Sequence, residues 1–238
     1  MSGEENFSAE LARLNAQEFT TRTERFGRVT RVVGLTVEAT GIAAEIGAQC
    51  VIETNHGGTA IEAEVVGFDG KHLYLMPIHY LEGIRAGSLV RFKQAQSLCG
   101  VGEKMLGRVI NGLGEPIDGK GPIAYDAEVA LDAKAINPME RGEVKDVLDT
   151  GIKAINGCLT FGKGQRMGLI AGSGVGKSVL MGMLTRNTAA DVVVIGLIGE
   201  RGREVQEFVQ KTLGEAGLAR AVVIAAPVDV SPVMRIKA

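Results

Sequence analysis

The chain has 238 residues, of which 45% are hydrophobic, so it can bury one large core or two smaller ones. Its formal net charge of −2 gives no sign of a surface for nucleic acid or for an acidic membrane. Three widely spaced cysteines argue against a disulfide framework or a zinc motif. No apolar run reaches the roughly 18 residues of a membrane span, so we expect a cytoplasmic protein.

The first 25 residues are predicted to form a separate amphipathic helix, running from about Glu4 to Thr21. Phe7, Leu11 and Leu14 fall on one face of this helix. A short helix is marginal in water, so the apolar stripe must pack either on its own chain or in the groove of a partner. The residues leave both possibilities open.

Residues 26–94 are predicted to form a small β-barrel, because short β-type runs alternate with glycine turns there. Asp69-Gly70 is typical of a tight hairpin turn. Five or more strands within about 70 residues favour a closed barrel, which has no exposed sheet edge. His56, His72 and His79 lack the spacing of a metal site. The candidate strands are Val29–Leu35, Gln49–Glu53, Ala60–Phe68, Leu73–Met76 and Ser88–Phe92.

A small barrel is also compatible with an oligonucleotide-binding fold. Aromatic residues make up only 4% of the chain, however, and tryptophan is absent, which leaves few platforms on which bases could stack. We therefore predict no nucleic-acid partner.

The remainder is predicted to be an α/β domain, residues 143–238, reached through a linker at 95–142. The linker is rich in turn dipeptides and has short strands around Gly107–Ile110. Parallel strands joined by helices require right-handed crossovers. The predicted elements of the α/β domain are a helix over Val147–Asn156, a glycine loop followed by a helix, a strand over Val192–Ile198, a helix over Glu204–Leu213 and a strand over Ala221–Ala226.

The octapeptide from Ala171 to Ser178 has the pattern of a P-loop. Its glycines let backbone N–H groups turn inward around phosphate oxygens, and the next helix points its positive dipole end at the same place. Lys177 would reach the β- and γ-phosphates of ATP, and Ser178 would ligate Mg²⁺. The apolar run Met167–Ala171 predicts a buried strand before the loop. The predicted nucleotide-binding residues are Gly172, Ser173, Gly174, Val175, Gly176, Lys177, Ser178 and Val179.

A second polar cluster follows the predicted strand Val192–Ile198. Glu200 would lie beyond the carboxyl end of this strand, which is the sheet edge where ligands of α/β folds bind. A carboxylate there can orient a water molecule and accept its proton during attack on the γ-phosphate. Arg201 and Arg203 could offset phosphate charge. The alternative is an ordinary solvated helix start, since acidic residues favour a first turn.

Together, these residues resemble the rotary ATPase superfamily, and within it the type III secretion export ATPases, in particular the flagellum-specific branch. The segments that carry the resemblance are the P-loop, the Gly-Glu-Arg-Gly-Arg-Glu run at 199–204, Gly27–Leu35, Glu64–Gly70 and Ala226–Arg235. The resemblance implies a RecA-like domain, with Glu200 as the catalytic glutamate, Lys177 and Ser178 as the phosphate and Mg²⁺ residues, and Arg201 as a phosphate-facing arginine.

In the resembling family, the Walker-B strand, an arginine finger and a C-terminal helical domain lie farther along the chain. Asp229 is the nearby Walker-B candidate, but Pro227 and Val228 separate it from the preceding strand, so we do not assign it that role. Ser231 and Pro232 are typical of a helix start that the chain barely continues. We therefore expect a partial RecA-like domain that lacks turnover on its own.

The function predicted from the resemblance is a Mg-dependent ATPase that forms a ring and energises flagellar protein export. The implied partners are like subunits in a homohexamer, regulatory and stalk-like export proteins docking on residues 1–21, export substrates and their chaperones. Contact with the export gate in the inner membrane would be indirect. The alternatives are a virulence-secretion ATPase, a proton-translocating ATPase subunit and, less favoured, a nucleic-acid-dependent P-loop motor.

Overall fold

The computed structural model describes residues 25–54, 60–79, 82–131, 135–172 and 174–238. The predicted N-terminal helix, His56 and Ser173 lie outside these residues.

A closed antiparallel barrel occupies the first part of the described chain, as predicted. Its strands follow one another around the barrel in the order β1-β2-β5-β4-β3-β6. Side chains alternate between the buried interior and the outside, and Val37, Cys50, Ala63 and Val65 are wholly buried. The strands are β1 (Phe26–Val33), β2 (Thr36–Thr40), β3 (Gln49–Ile52), β4 (Ile61–Asp69), β5 (His72–Pro77) and β6 (Leu89–Gln94).

The segment after the barrel contains a two-stranded antiparallel sheet and one strand that joins the sheet of the next domain. β7 (Leu98–Val101) pairs with β9 (Ala127–Ala130), and a short 3₁₀ turn (Glu103–Met105) leads into β8 (Arg108–Ile110). A second 3₁₀ turn covers Pro138–Glu140. The predicted linker therefore contributes β8 to a sheet built mainly from later residues.

The α/β domain has a parallel sheet whose described strands run in the order β12-β13-β8. β13 lies in the middle and is buried along almost its whole length. The helices pack on one face of β12, where Ile195 and Leu197 are buried against Phe208 and Leu213. The elements are β10 (Val147–Leu148), α1 (Lys153–Cys158), β11 (Phe161–Gly162), α2 (Lys177–Asn187), β12 (Val193–Ile198), α3 (Gly202–Glu207), a π-helical turn (Phe208–Leu213), α4 (Gly214–Leu218), β13 (Ala221–Ala226) and α5 (Pro232–Lys237).

Two local predictions for this domain were wrong. The strand expected over Met167–Ala171 does not form, and Ile170 is 97% exposed. A strand needs a neighbour for its N–H and C=O groups, and among the described strands β12 is paired with β13 alone. The helix expected over Val147–Asn156 begins only at Lys153, because residues 147–148 pair with β11 instead.

The last helix, α5, joins the α/β domain to the barrel. Val233 and Met234 are buried against Ile78, which follows β5 of the barrel. The ammonium of Lys237 lies 3.1 Å from a carboxylate oxygen of Glu64, and both side chains are largely buried. Within the described residues, no helix has the length and apolar character needed to cross a membrane.

Candidate active site

The glycine loop before α2 has the backbone conformation that its sequence predicts. Gly174 and Gly176 have φ values of +77° and +92°, in the left-handed region that glycine adopts without strain. Gly176 is the N-cap of α2, and no side chain caps the helix there. The N–H groups of its first turn are therefore available to an anion, which is the arrangement that binds phosphate at a helix start.

A cavity of about 800 Å³ lies against this loop. Gly172, Gly174, Gly176, Lys177, Ser178 and Val179 line it, so six of the eight predicted nucleotide-binding residues face one space. Val175 is 67% exposed at the tip of the loop and is not among the lining residues.

Glu200 lines the same cavity, although the chain between it and the P-loop contains a helix and a strand. The ladder of β12 and β13 continues past the strand ends, with the Gly199 amide donating to Ala226 at 2.8 Å. Gly199 has a φ of +75°, which lets the chain turn away directly after the strand. The structure therefore brings Glu200 and the P-loop to one cavity, although the strand predicted to place the P-loop at the sheet rim does not form.

The two arginines and Asp229 are placed differently. Arg201 is the N-cap of α3, is 78% exposed, and lies 3.9 Å from a carboxylate oxygen of Glu204. Neither Arg201 nor Arg203 is among the residues lining the cavity. Asp229 lines a separate cavity of about 550 Å³ between α5 and the barrel. The structure therefore does not bring Arg201, Arg203 or Asp229 to the P-loop cavity.

Three charged residues to which the sequence analysis gave no role in the site also line the cavity: Glu204, Glu207 and Lys211. Lys211 donates a 3.0 Å hydrogen bond to Glu207, which lowers the pKa of that carboxyl group. Positions 204, 207 and 211 are spaced by three and four residues, which predicts a shared helical face, but the spacing does not show that this face is turned toward the cavity.

The P-loop helix is fixed by close packing against the π-helical turn. Gly182 of α2 is buried, and a β-carbon at this position would collide with Thr212. The guanidinium of Arg186 donates to the Thr212 carbonyl. Because Thr212 and Lys211 also line the cavity, the contact that anchors α2 forms part of the cavity wall.

Comparison with protein families matches two domains of one family. Residues 29–94 match the beta-barrel domain of the ATP synthase alpha/beta family, and residues 151–238 match its nucleotide-binding domain. The chain belongs to the ATP synthase alpha/beta family. Both matches agree with the barrel and the P-loop domain described above.

Curated relatives within this family are similar over most of the chain. The Flagellum-specific ATP synthase of Pseudomonas aeruginosa is 50% identical over 214 residues, covering 89% of this chain and 48% of that protein. The protein of the same name from Salmonella typhimurium is 49% identical over 243 residues, covering 98% and 52%. The Type 3 secretion system ATPase of Xanthomonas euvesicatoria is 44% identical, covering 90% and 48%. The chain spans about half the length of these relatives.

Solved structures of another family member have the same fold. The assembled ATPase EscN of the enteropathogenic E. coli type III secretion system superimposes with a TM-score of 0.77 at 34% identity, covering 89% of this chain and 50% of that one. EscN in complex with its central stalk EscO gives a TM-score of 0.80 at 33% identity, covering 89% and 51%. The resemblance to type III export ATPases found in the sequence is confirmed.

Proposed function

We propose that this chain is part of an ATP-hydrolysing ring subunit that energises flagellar type III protein export. The observation that carries the proposal is the single cavity lined by Lys177, Ser178 and Glu200 in a chain about 50% identical to flagellum-specific ATP synthases. Like subunits and a stalk-like protein are the proposed partners, since EscN is described as assembled and in complex with a stalk.

The phosphates of ATP fit the cavity at the start of α2. The uncapped first turn of α2 supplies backbone donors, and Lys177 adds a cation that can reach the β- and γ-phosphates. Ser178, at the second position of the helix, would hold the Mg²⁺ that accompanies the nucleotide and offsets its charge. Glu200 would orient the attacking water and accept its proton.

The first test measures ATP binding by the 238-residue chain with a fluorescent ATP analogue. Lys177→Ala removes the side-chain cation of the loop, and we expect affinity to fall at least tenfold, about 1.4 kcal/mol. Lys163→Ala, at a nearby exposed lysine outside the cavity, should leave affinity unchanged. Equal affinity of Lys177→Ala and the unmodified chain would refute the phosphate assignment.

The proposed role of Ser178 as a Mg²⁺ ligand is tested by the same binding assay. Ser178→Ala should weaken binding when Mg²⁺ is present and have little effect when it is chelated, because only the metal-dependent part of the affinity passes through the hydroxyl. A loss of equal size under both conditions would instead place Ser178 in direct contact with phosphate or in the fold of the loop.

Turnover is tested in a hybrid in which these residues replace the matching half of the P. aeruginosa relative. Glu200→Gln keeps the shape of the side chain but cannot act as a base, so nucleotide should still bind while hydrolysis falls about 10²-fold or more. Glu215→Gln, an exposed carboxylate of α4 outside the cavity, is the matched control. Parallel loss of binding and turnover would indicate a structural role for Glu200.

The main alternative is a virulence type III secretion ATPase, with the same chemistry and different partners. Expression of the hybrid in a Salmonella strain that lacks its flagellum-specific ATP synthase separates the two. Restored swimming supports the flagellar assignment. A hybrid that hydrolyses ATP but leaves the cells non-motile favours the alternative.

A further inference from the structure

The main chain at Glu200 is held by the last hydrogen bond of the β12–β13 ladder. Beyond the strand ends, the amide of Val228 donates to the carbonyl of Glu200 at 3.0 Å. The position of a side chain follows the position of its own backbone. Whatever fixes Val228 therefore also contributes to fixing the Glu200 carboxylate at the P-loop cavity.

The residues after Val228 tie this position to the barrel. The Val230 amide donates to the Pro227 carbonyl at 3.3 Å, which closes a tight turn. The Ser231 hydroxyl then makes two hydrogen bonds, donating to the Ile78 carbonyl at 2.7 Å and accepting from the Met234 amide at 3.2 Å. The first bond fastens the loop to the end of barrel strand β5, and the second caps α5.

The surroundings of this bond resist movement of the loop relative to the barrel. Ile78, Val233 and Met234 are at most 4% exposed and pack on one another. At the other end of α5, the ion pair of Lys237 and Glu64 is a second attachment to the barrel. The barrel and the 227–231 loop are therefore expected to move as one body.

We propose that Ser231 is a positioning residue, which sets the place of Glu200 by fastening the 227–231 loop to the barrel. A role of Ser231 in catalysis rests on the proposed function, because it requires Glu200 to be the base. The hydrogen bonds that link Ser231 to Glu200 through Val228 do not depend on that function. The bonded path runs from Ile78 through the 227–231 loop to Glu200 and includes no P-loop residue.

Ser231→Asp separates the two hydrogen bonds of the serine. A carboxylate is a good N-cap, so it can still accept from Met234, but it has no proton to donate to the Ile78 carbonyl. Residue-resolved amide hydrogen exchange on the 238-residue chain then measures how often the last hydrogen bonds between the ends of β12 and β13 open, which are those donated by Gly199 and Val228. We expect the amides of Gly199 and Val228 to exchange about three- to tenfold faster, while Val222 and Val223, deeper in β13, stay unchanged.

Three further variants complete the experiment. Ser231→Thr keeps both bonds and should restore the exchange of the unmodified chain. Ser88→Ala removes a different buried serine of the barrel, whose hydroxyl accepts from the Arg85 amide, and should leave Gly199 and Val228 unaffected. Ser231→Ala loses both bonds and provides the same comparison should the carboxylate prevent folding.

Two results would overturn the proposal. One is unchanged exchange at Gly199 and Val228 in the variants that cannot donate to Ile78. The other is equal acceleration at Val222 and Val223, which would show a general loss of stability. Full hydrolysis by the Glu200→Gln hybrid would instead overturn the role of Glu200 as the base, and would leave the exchange result standing.

Discussion

At the scale of single residues, Asp118 accepts four hydrogen bonds. Its oxygens accept from the Arg108 guanidinium at 2.7 and 2.9 Å and from the amides of Lys120 and Val109 at 3.0 and 3.1 Å. The bond from Arg108, followed by the two backbone bonds, holds the pKa of Asp118 well below its usual range. Arg108 is the first residue of β8, so this carboxylate holds the edge strand of the sheet.

Asp118→Asn should therefore destabilise the chain at neutral pH. The amide keeps one acceptor oxygen but loses the charge-assisted bonds, which we expect to cost about 1.5–3 kcal/mol. The measurement is the urea midpoint at pH 7. Glu143→Gln removes one partner of a largely exposed ion pair with Lys145 and should have little effect.

The same carboxylate should make the free energy of unfolding decrease as the pH falls. Its pKa is lower in the folded state than the value of about 3.9 in the unfolded state. The stabilisation is therefore fully present above about pH 5 and is lost as the pH falls through 3.9 and below. Urea midpoints measured from pH 6 to pH 3 should fall less steeply in Asp118→Asn than in the unmodified chain, and parallel curves would contradict this account.

At the scale of elements, the C-terminus of the P-loop helix is set by a glycine that lies outside it. Gly151 has a φ of +68°, and a β-carbon there would collide with the backbone of Asn187, the last residue of α2. Gly151→Ala should lower the melting temperature by about 5 °C or more, since strain and collision together cost about 2 kcal/mol. Calorimetry on the unliganded chain measures this.

Gly164 provides the matched control for that experiment. Its φ is +86°, but no atom lies within 4 Å of a β-carbon built there. Gly164→Ala therefore adds backbone strain without a collision and should lower the melting temperature by less. Equal shifts in the two variants would mean that the contact with α2 contributes nothing.

Helices and strands whose own residues form a clear local pattern were predictable from the sequence. Barrel strands alternate at period two, and Ala221–Ala226 is a β-branched, alanine-flanked run whose predicted bounds match those of β13. β2 was missed, because the predicted strand Val29–Leu35 ran through the turn at Gly34-Leu35 and no strand was predicted over Thr36–Thr40. The segment Met167–Ala171 has the composition of a strand, but strand formation also depends on a neighbour, which a local pattern does not specify.

The candidate site was predictable to a similar extent and for similar reasons. The P-loop was predicted from its glycine, lysine and serine pattern before a helix, and Glu200 from its place after the predicted strand Val192–Ile198; the structure brings both to one cavity. Glu204 and Lys211 were missed because their role follows from the direction of α3 over the cavity, which depends on how the helix packs. The role given to Arg201 stays a prediction, since its side chain lies outside the cavity in this structure.

At the scale of the whole molecule, the barrel is closed by described residues alone. Phe26 and Gly27 pair with β6, so the first and last barrel strands meet without residues 1–21. Deletion of residues 1–21 should therefore leave the melting temperature and the affinity for the ATP analogue unchanged. A large loss of the thermal transition would show that the Phe7, Leu11 and Leu14 stripe packs on its own chain.

The position of β13 in the sheet also bears on the order of folding. β13 is the middle strand, flanked by β8 and β12, yet it is the last of the three to be synthesised. All six barrel strands precede residue 95 and can pair before β13 is made, whereas β8 and β12 must wait as unpaired edges until β13 arrives. During synthesis, the P-loop therefore emerges before β13, the strand that joins β8 to β12, and the nascent chain passes through a stage with a folded barrel and an aggregation-prone second domain.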